Sequence, residues 1–303
     1  MLRTVELEIR GDVMLGNVPQ ETVVVLPNVE TFSLAVGEGS WHSCELVTRI
    51  SCPRAKYTSF KREICEDDMT SNSKLFPGPI FWETVAPHCT TSQVEDVTLE
   101  IEWNRLNPIF TCSLTFQSSD ATVIRLGVDV FSADAEEGRS DTSYKEMRFE
   151  FFSQACRTIQ GHPLLSHVKR LHIKDRTRLP CSAYLQRMAW VVVELLGSLG
   201  PLDELTIHGC DLEIFLFPYI GSLDYCQLGR VFPPIKELTI SDVFMSSEQE
   251  CMDGLTELAK EQHRLGKPFE HLTVRVWGFP TTMTERLREW VGAVDVEMKY
   301  GGY

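Results

Sequence analysis

Residues able to do chemistry are thinly spread along this chain. His88-Cys89 and His208-x-Cys210 come nearest to a thiol beside an imidazole, or to the start of a metal site. A catalytic thiol needs an adjacent base, and a structural metal needs four ligands at short, repeated spacing. Neither pair has a companion ligand at such a spacing, so core packing is the expected role of both. Gly37-x-Gly39 lacks the third glycine and the following helix of a dinucleotide loop. There is no Gly-x-Ser-x-Gly elbow, P-loop or His-Glu-x-x-His. No catalytic residue, metal ligand or cofactor is expected; an enzyme would need a site assembled from distant residues. The one dense basic cluster in this acidic chain is Lys169, Arg170, Lys174, Arg176 and Arg178, with His172 among them. Its charge suits an acidic peptide or a phosphate group. An intramolecular partner, Glu204 or the acidic segment 132–143, would serve it equally.

The elements that must position these residues announce themselves by repetition. Val168-Lys-Arg-Leu171-His-Ile173 returns as Leu202-Asp-Glu-Leu205-Thr-Ile207, Ile235-Lys-Glu-Leu238-Thr-Ile240 and Phe269-Glu-His-Leu272-Thr-Val274, at spacings of 34, 33 and 34 residues. Weaker copies stand at Leu2-Val5-Leu7, Val29-Phe32-Leu34, Val94-Val97-Leu99 and Val123-Leu126-Val128. A fixed period in this range marks stacked supersecondary units. Helical patterns lie between the strand motifs: Tyr144–His162, Ala183–Leu199, Glu248–Leu265 and Met283–Val291 each place apolar residues on one face. Ser247 with Glu250 three residues later is a capping-box candidate, and Gly266-Lys-Pro268 marks a helix stop. Trp82, Trp190, Trp277 and Trp290 sit within apolar patterns and read as core.

Strand, helix, strand at a period near 34 predicts an α/β fold: a curved solenoid with a parallel sheet on one face and helices on the other. Equal spacing favours it over a doubly wound sheet. One such domain would span 1–303. The region 94–130 departs from the pattern: Phe110, Cys112, Leu114 and Phe116 alternate, then Ser118-Ser119-Asp120 turns the chain, which predicts an irregular antiparallel meander. The acidic segment 132–143 and Glu66–Lys74 read as flexible loops.

Side chains alternate along a strand, so the polar residues between the core aliphatics point away from the helices. One such row reads Ser33, Thr98, His172, Thr206, Thr239, Thr273; the row before it reads Asp96, Arg125, Arg170, Glu204, Glu237, His271. With Lys174, these rows form the candidate surface for a protein partner. The bland alternative is a solvated face, since threonine favours strands whatever its role.

Composition bounds the partner. Of 303 residues, 43% are hydrophobic, enough for a continuous core, and the net charge of -14 opposes general binding to nucleic acid or anionic lipid. No apolar run approaches the ~18–20 residues of a membrane helix, and the charged amino terminus does not resemble a signal peptide. Ten scattered cysteines fit free thiols in a reducing compartment, so an intracellular protein, cytoplasmic or nuclear, is expected.

The strand motif resembles the strand half of a leucine-rich repeat, although ~34 residues exceeds the usual ~20–29. Longer stretches narrow the resemblance: Cys52–Phe60, Val94–Ile101, Cys112–Asp120, His162–Ile173 and Gly266–Val274 are similar to the F-box/leucine-rich-repeat-like family of mushroom-forming fungi. That resemblance implies a repeat domain that selects protein targets for a cullin-type ubiquitin ligase, recruited through an amino-terminal F-box. It covers the carboxy-terminal repeat region only, because Met1 leads directly into a strand motif. The ligase adaptor is expected as a partner only where an F-box lies upstream.

Overall fold

The computed structural model describes residues 2–9, 24–37, 50–65, 75–76, 93–104, 109–131, 141–160, 167–177, 184–220, 232–243, 245, 247–275 and 281–296. Of the sequence expectations, His88, Cys89, Gly39, Arg178, Trp82, Trp277, the loop Glu66–Lys74 and residues 132–140 lie outside these. The chain divides into two compact units, Met1–Ser140 with Gly161–Leu165, and Asp141–Gln160 with Ser166–Tyr303. Both are built on a mostly parallel sheet that does not close into a barrel, and the fold is mixed α/β.

The first unit holds strands β1 (Thr4–Ile9), β2 (Val24–Val25), β3 (Thr31–Val36), β4 (Ile50–Ser51), β5 (Tyr57–Cys65), β6 (Val94–Asn104), β7 (Ile109–Ser118) and β8 (Val123–Phe131). Its main sheet runs β1-β3-β5-β8-β7-β6, while β2 and β4 pair separately. β1, β3, β5 and β8 are parallel, and β8, β7 and β6 form the expected antiparallel meander. Its tight turn uses Asp120, whose carboxylate accepts from Ser118 Oγ and Thr122 N at 2.7 and 3.1 Å, and Ala121 in the left-handed region.

Strand β5 escaped the sequence pattern because Thr58 stands where the other strands carry a bulky apolar residue. Thr58 pairs with Phe32 and Ile124, and Phe60 with Leu34 and Leu126. This register also corrects the reading of β8. Leu126 lies opposite Phe60, which in turn lies opposite Leu34, so the motif there is shifted by two residues from Val123-Leu126-Val128. β1 forms as expected, with Val5 beside Phe32 and Leu7 beside Leu34, but Leu2 and Leu7 remain 60% and 40% exposed.

The second unit holds α1 (Asp141–Gln160), β9 (Arg170–Asp175), α2 (Leu185–Ser198), β10 (Leu202–His208), α3 (Leu212–Leu216) continued by a 3-10 turn (Phe217–Tyr219), β11 (Ile235–Ser241), α4 (Glu248–Arg264), β12 (His271–Arg275), α5 (Thr281–Arg288) and β13 (Ala293–Val296). Residues 141–143, expected in the acidic loop, begin α1 instead. The five strands are parallel and adjacent in chain order. Leu171, Leu205, Leu238, Leu272 and Val294 are in register, as are Ile173, Ile207, Ile240, Val274 and Val296. All are buried except Val296, which is half-exposed.

The helices pack in the same order, α1 on α2, α2 on α3, α3 on α4 and α4 on α5. Met188, Ala189, Val191, Val192, Leu195 and Leu196 form the buried face of α2. Trp190 lies off that face at 37% exposure, which corrects its assignment to the core; Trp290 is half-exposed, with Lys260 over its ring and His263 at its edge. The start of α4 is capped, Glu250 N–H donating to Ser247 Oγ at 3.4 Å. Its end is closed by Gly266 at φ +71°, where Gly266 N–H donates to His263 O and Lys267 N–H to Gln262 O, the double bond of a Schellman motif. The fully buried Gln262 ties this helix to β11, donating to Pro233 O at 3.2 Å and accepting from Ile235 N–H at 3.4 Å.

Leu238 has register neighbours on both sides and is 1% exposed. Leu238→Ala should destabilise the protein by about 2–5 kcal/mol through lost burial and a cavity. Leu7→Ala, at a partly exposed position, should cost much less. Urea unfolding of the two variants checks the order.

Candidate functional site

Alternation in the second unit turns one set of side chains to the core and the other outward. Three outward rows result. The first holds Arg170, Glu204, Glu237 and His271, the second His172, Thr206, Thr239 and Thr273, and the third Lys174, His208, Ser241 and Arg275. Each row crosses four strands in register, and every member is half-buried or exposed. Nine of the thirteen residues proposed from the sequence are therefore brought onto one face.

Within that face the side chains are already engaged. Thr206 Oγ1 donates to Glu204 Oε1 at 2.8 Å, and His172 Nδ1 lies 3.8 Å from the same carboxylate oxygen. His208 Nδ1 is 3.0 Å from Ser241 Oγ and 3.6 Å from Asp242 Oδ2. Asp242 adopts φ +52°, a left-handed conformation that aspartate tolerates, as the chain leaves β11. His208, Ser241, Asp242 and Arg275 escaped the site proposed from the sequence, because they lie one alternation beyond the motif. Their period of 33 to 34 residues was the available signal.

The other four, Ser33, Thr98, Asp96 and Arg125, belong to the first unit. There Asp96 and Arg125 do not share a row. Arg125 lies opposite Ser59 and Thr115, and Thr115 opposite Thr98, whereas Asp96 lies opposite Gln117. The cause is the register of β8: its motif stands two residues from the sequence reading, which puts Arg125 in the row of Ser33 and Thr98. On the next row of this unit Lys61 Nζ bridges Asp129 at 2.8 Å and Glu63 at 3.2 Å.

His208 and Cys210 do not form a pair. Gly209, at φ +70°, turns the chain between them, and a Cβ there would fall 1.9 Å from Asp175 O. His208 stays on the open face while Cys210 enters the core, its thiol 3.4 Å from His208 O. Burial, and then the charge of Asp175, push that thiol well above its ordinary range, which suppresses the nucleophilic thiolate. Among the described residues, no three His, Cys, Asp or Glu side chains are placed to hold a metal ion. An open cleft of about 260 Å³ is lined by Leu196, Leu199, Pro201, Phe232 and Lys267, without convergent titratable groups. Another of about 370 Å³ in the first unit is lined by Arg3, Asn28, Glu30, Arg54 and Lys56.

Behind the open face lies a charged cluster that pattern reading missed. Arg148 of α1 is 1% exposed; its Nε donates to Asp175 Oδ2 at 2.5 Å and its Nη1 to Asp211 Oδ2 at 3.1 Å. Asp175 Oδ1 accepts from Thr177 N–H and Oγ1 at 2.9 and 2.7 Å. The cluster joins α1, the end of β9 and the start of α3. Arg148 shares the helical stripe of Phe151, Phe152, Ala155 and Ile159, and a lone arginine on an apolar stripe was the signal for it.

No protein-family model matches the chain, and neither a curated protein nor a solved structure matches it. Among the described residues, no helix is long and apolar enough to cross a membrane.

Arg148→Ala would leave two buried carboxylates without their guanidinium and should cost about 3–5 kcal/mol. Burial pushes the Asp211 carboxyl above its usual range, and Arg148 offsets this only in part. A carboxyl raised in the fold contributes stability below its ordinary pKa and loses it as pH rises through the raised one. Asp211→Asn, which keeps an acceptor for Arg148, should therefore gain on the wild type as pH increases through that window. Urea midpoints measured across acidic to neutral pH check both outcomes.

Proposed function

We propose that this chain is a non-catalytic recognition scaffold, a leucine-rich-repeat-like α/β solenoid that binds a protein partner through its outward strand face. One observation carries the reading: three polar rows in register on adjacent parallel strands, over buried aliphatic rows of the same period. A sheet face left open by helices on the other side is the surface repeat proteins commonly use for partners. The open clefts, the buried thiols and the separation of His208 from Cys210 add support, since catalysis needs convergent groups in an enclosing pocket.

The kinship proposed for it is the F-box/leucine-rich-repeat-like family, on the strength of the repeat residues quoted above. In that family the repeat domain selects the target protein, so the partner proposed here is a protein rather than a nucleic acid or a membrane.

The test reverses two neighbouring charges on the face, Arg170→Glu together with Glu204→Arg. Partner recovery in a pull-down should fall sharply while far-ultraviolet circular dichroism and the unfolding midpoint stay near wild type. Unchanged recovery from the folded double variant would remove the case for this face.

A further inference from the structure

The three outward rows differ in charge. The first carries Arg170 against Glu204 and Glu237, with His271 at its end. The second is neutral apart from His172 and the exposed Asp295, which lies opposite Thr273 on β13. The third, at the carboxy-terminal ends of the strands, carries Lys174 and Arg275 with His208 and Ser241 between them; one carboxylate, Asp242, stands 3.6 Å from His208. Charge on this face therefore changes sign along the strands, from acidic at their starts to basic at their ends, in a protein of net charge -14.

Building on the scaffold reading, we propose that the row Lys174–His208–Ser241–Arg275 seats an acidic, extended segment of the protein partner, running across the strands with two carboxylates four residues apart. The spacing supplies the register. Lys174 and Arg275 lie three strand intervals apart, about 14 Å at the usual separation of paired strands. In an extended chain, residues i and i+4 point the same way and lie about 13 Å apart. One carboxylate meets each cation, while the imidazole and the hydroxyl between them offer hydrogen bonds to the segment's middle. Asp242 holds the His208 ring from the side and repels a carboxylate placed at the centre, which further favours charges at the two ends. Glu204 and Glu237 repel the same segment from the first row, so it is confined to the third. A phosphate dianion is a poorer match, because its charge is concentrated on one group whereas the cations are spread over four strands.

Calorimetry on the full chain decides the matter. The probe is a synthetic peptide of glycine, serine and threonine with two aspartates four residues apart; comparison peptides carry asparagines at both positions, or aspartates two residues apart. The first should bind weakly and lose affinity with added salt. The asparagine peptide should not bind, and the closely spaced one should bind less well. Lys174→Glu should weaken binding about fivefold, the effect of losing one or two exposed ion pairs, and His208→Gln should weaken it less. Lys236→Glu, at the opposite end of the strands, should leave it unchanged. No binding, equal binding of the aspartate and asparagine peptides, or an equal loss with Lys236→Glu would each overturn the proposal. The scaffold reading is tested separately by the Arg170/Glu204 reversal. If that variant loses its partner while Lys174→Glu retains it, the face stands and the acidic-segment assignment falls.

Discussion

Everything on the outward face depends on the alignment of one buried row. Leu171, Leu205, Leu238, Leu272 and Val294 sit side by side across five parallel strands, each strand covering the next. Burying a side chain of this size contributes about 1.5–3 kcal/mol. A one-residue slip would turn the whole aliphatic set of a strand to solvent. That penalty locks the register, and the locked register assembles three polar rows from residues some 33 residues apart in sequence.

The ends of these strands are fixed by a different force. Arg148 reaches two aspartates that follow successive strands, and Asp175 also accepts two bonds from Thr177. Burying such a network gains little net stability over apolar packing, but breaking it is costly. Its effect is one of position: it sets where the chain leaves β9 and β10. With Gly209 admitting the backbone close to Asp175, it divides His208, which stays outside, from Cys210, which goes in. The basic outer row thus stands directly over a junction that tolerates few substitutions.

On the reading proposed above, a face of this kind serves recognition rather than chemistry. Its groups are spread at the spacing of strands instead of converging on one point, and His172 and His208 meet a serine or a carboxylate of their own chain. What it offers a ligand is an ordered charge pattern. Such patterns favour specificity and association rate more than raw affinity.

The sequence by itself determined the α/β class, four of the five strands of the second unit, four of its five helices with the cap at Ser247 and stop at Gly266, and the meander at 94–130; the short helix Leu212–Leu216 was not among them. Those features rest on local periodicity, which a single chain displays directly. The fifth strand was legible too, since Val291-Gly-Ala-Val294-Asp-Val296 repeats the motif, but it follows Leu272 by only 22 residues and so fell outside the period. Tertiary structure alone decided the rest. Thr58 takes a buried apolar position because its strand is held between Phe32 and Ile124, and no local pattern marks that. Arg125 leaves the row of Asp96 because Ile124 and Leu126, rather than Leu126 and Val128, take the core positions opposite Thr58 and Phe60. Trp190 is exposed because a helix's buried arc is set by what packs against it. Arg148 is buried because Asp175 and Asp211, 27 and 63 residues away, close around it. Periodicity tells which side of an element is apolar; only packing between distant segments determines which side chains face each other across it.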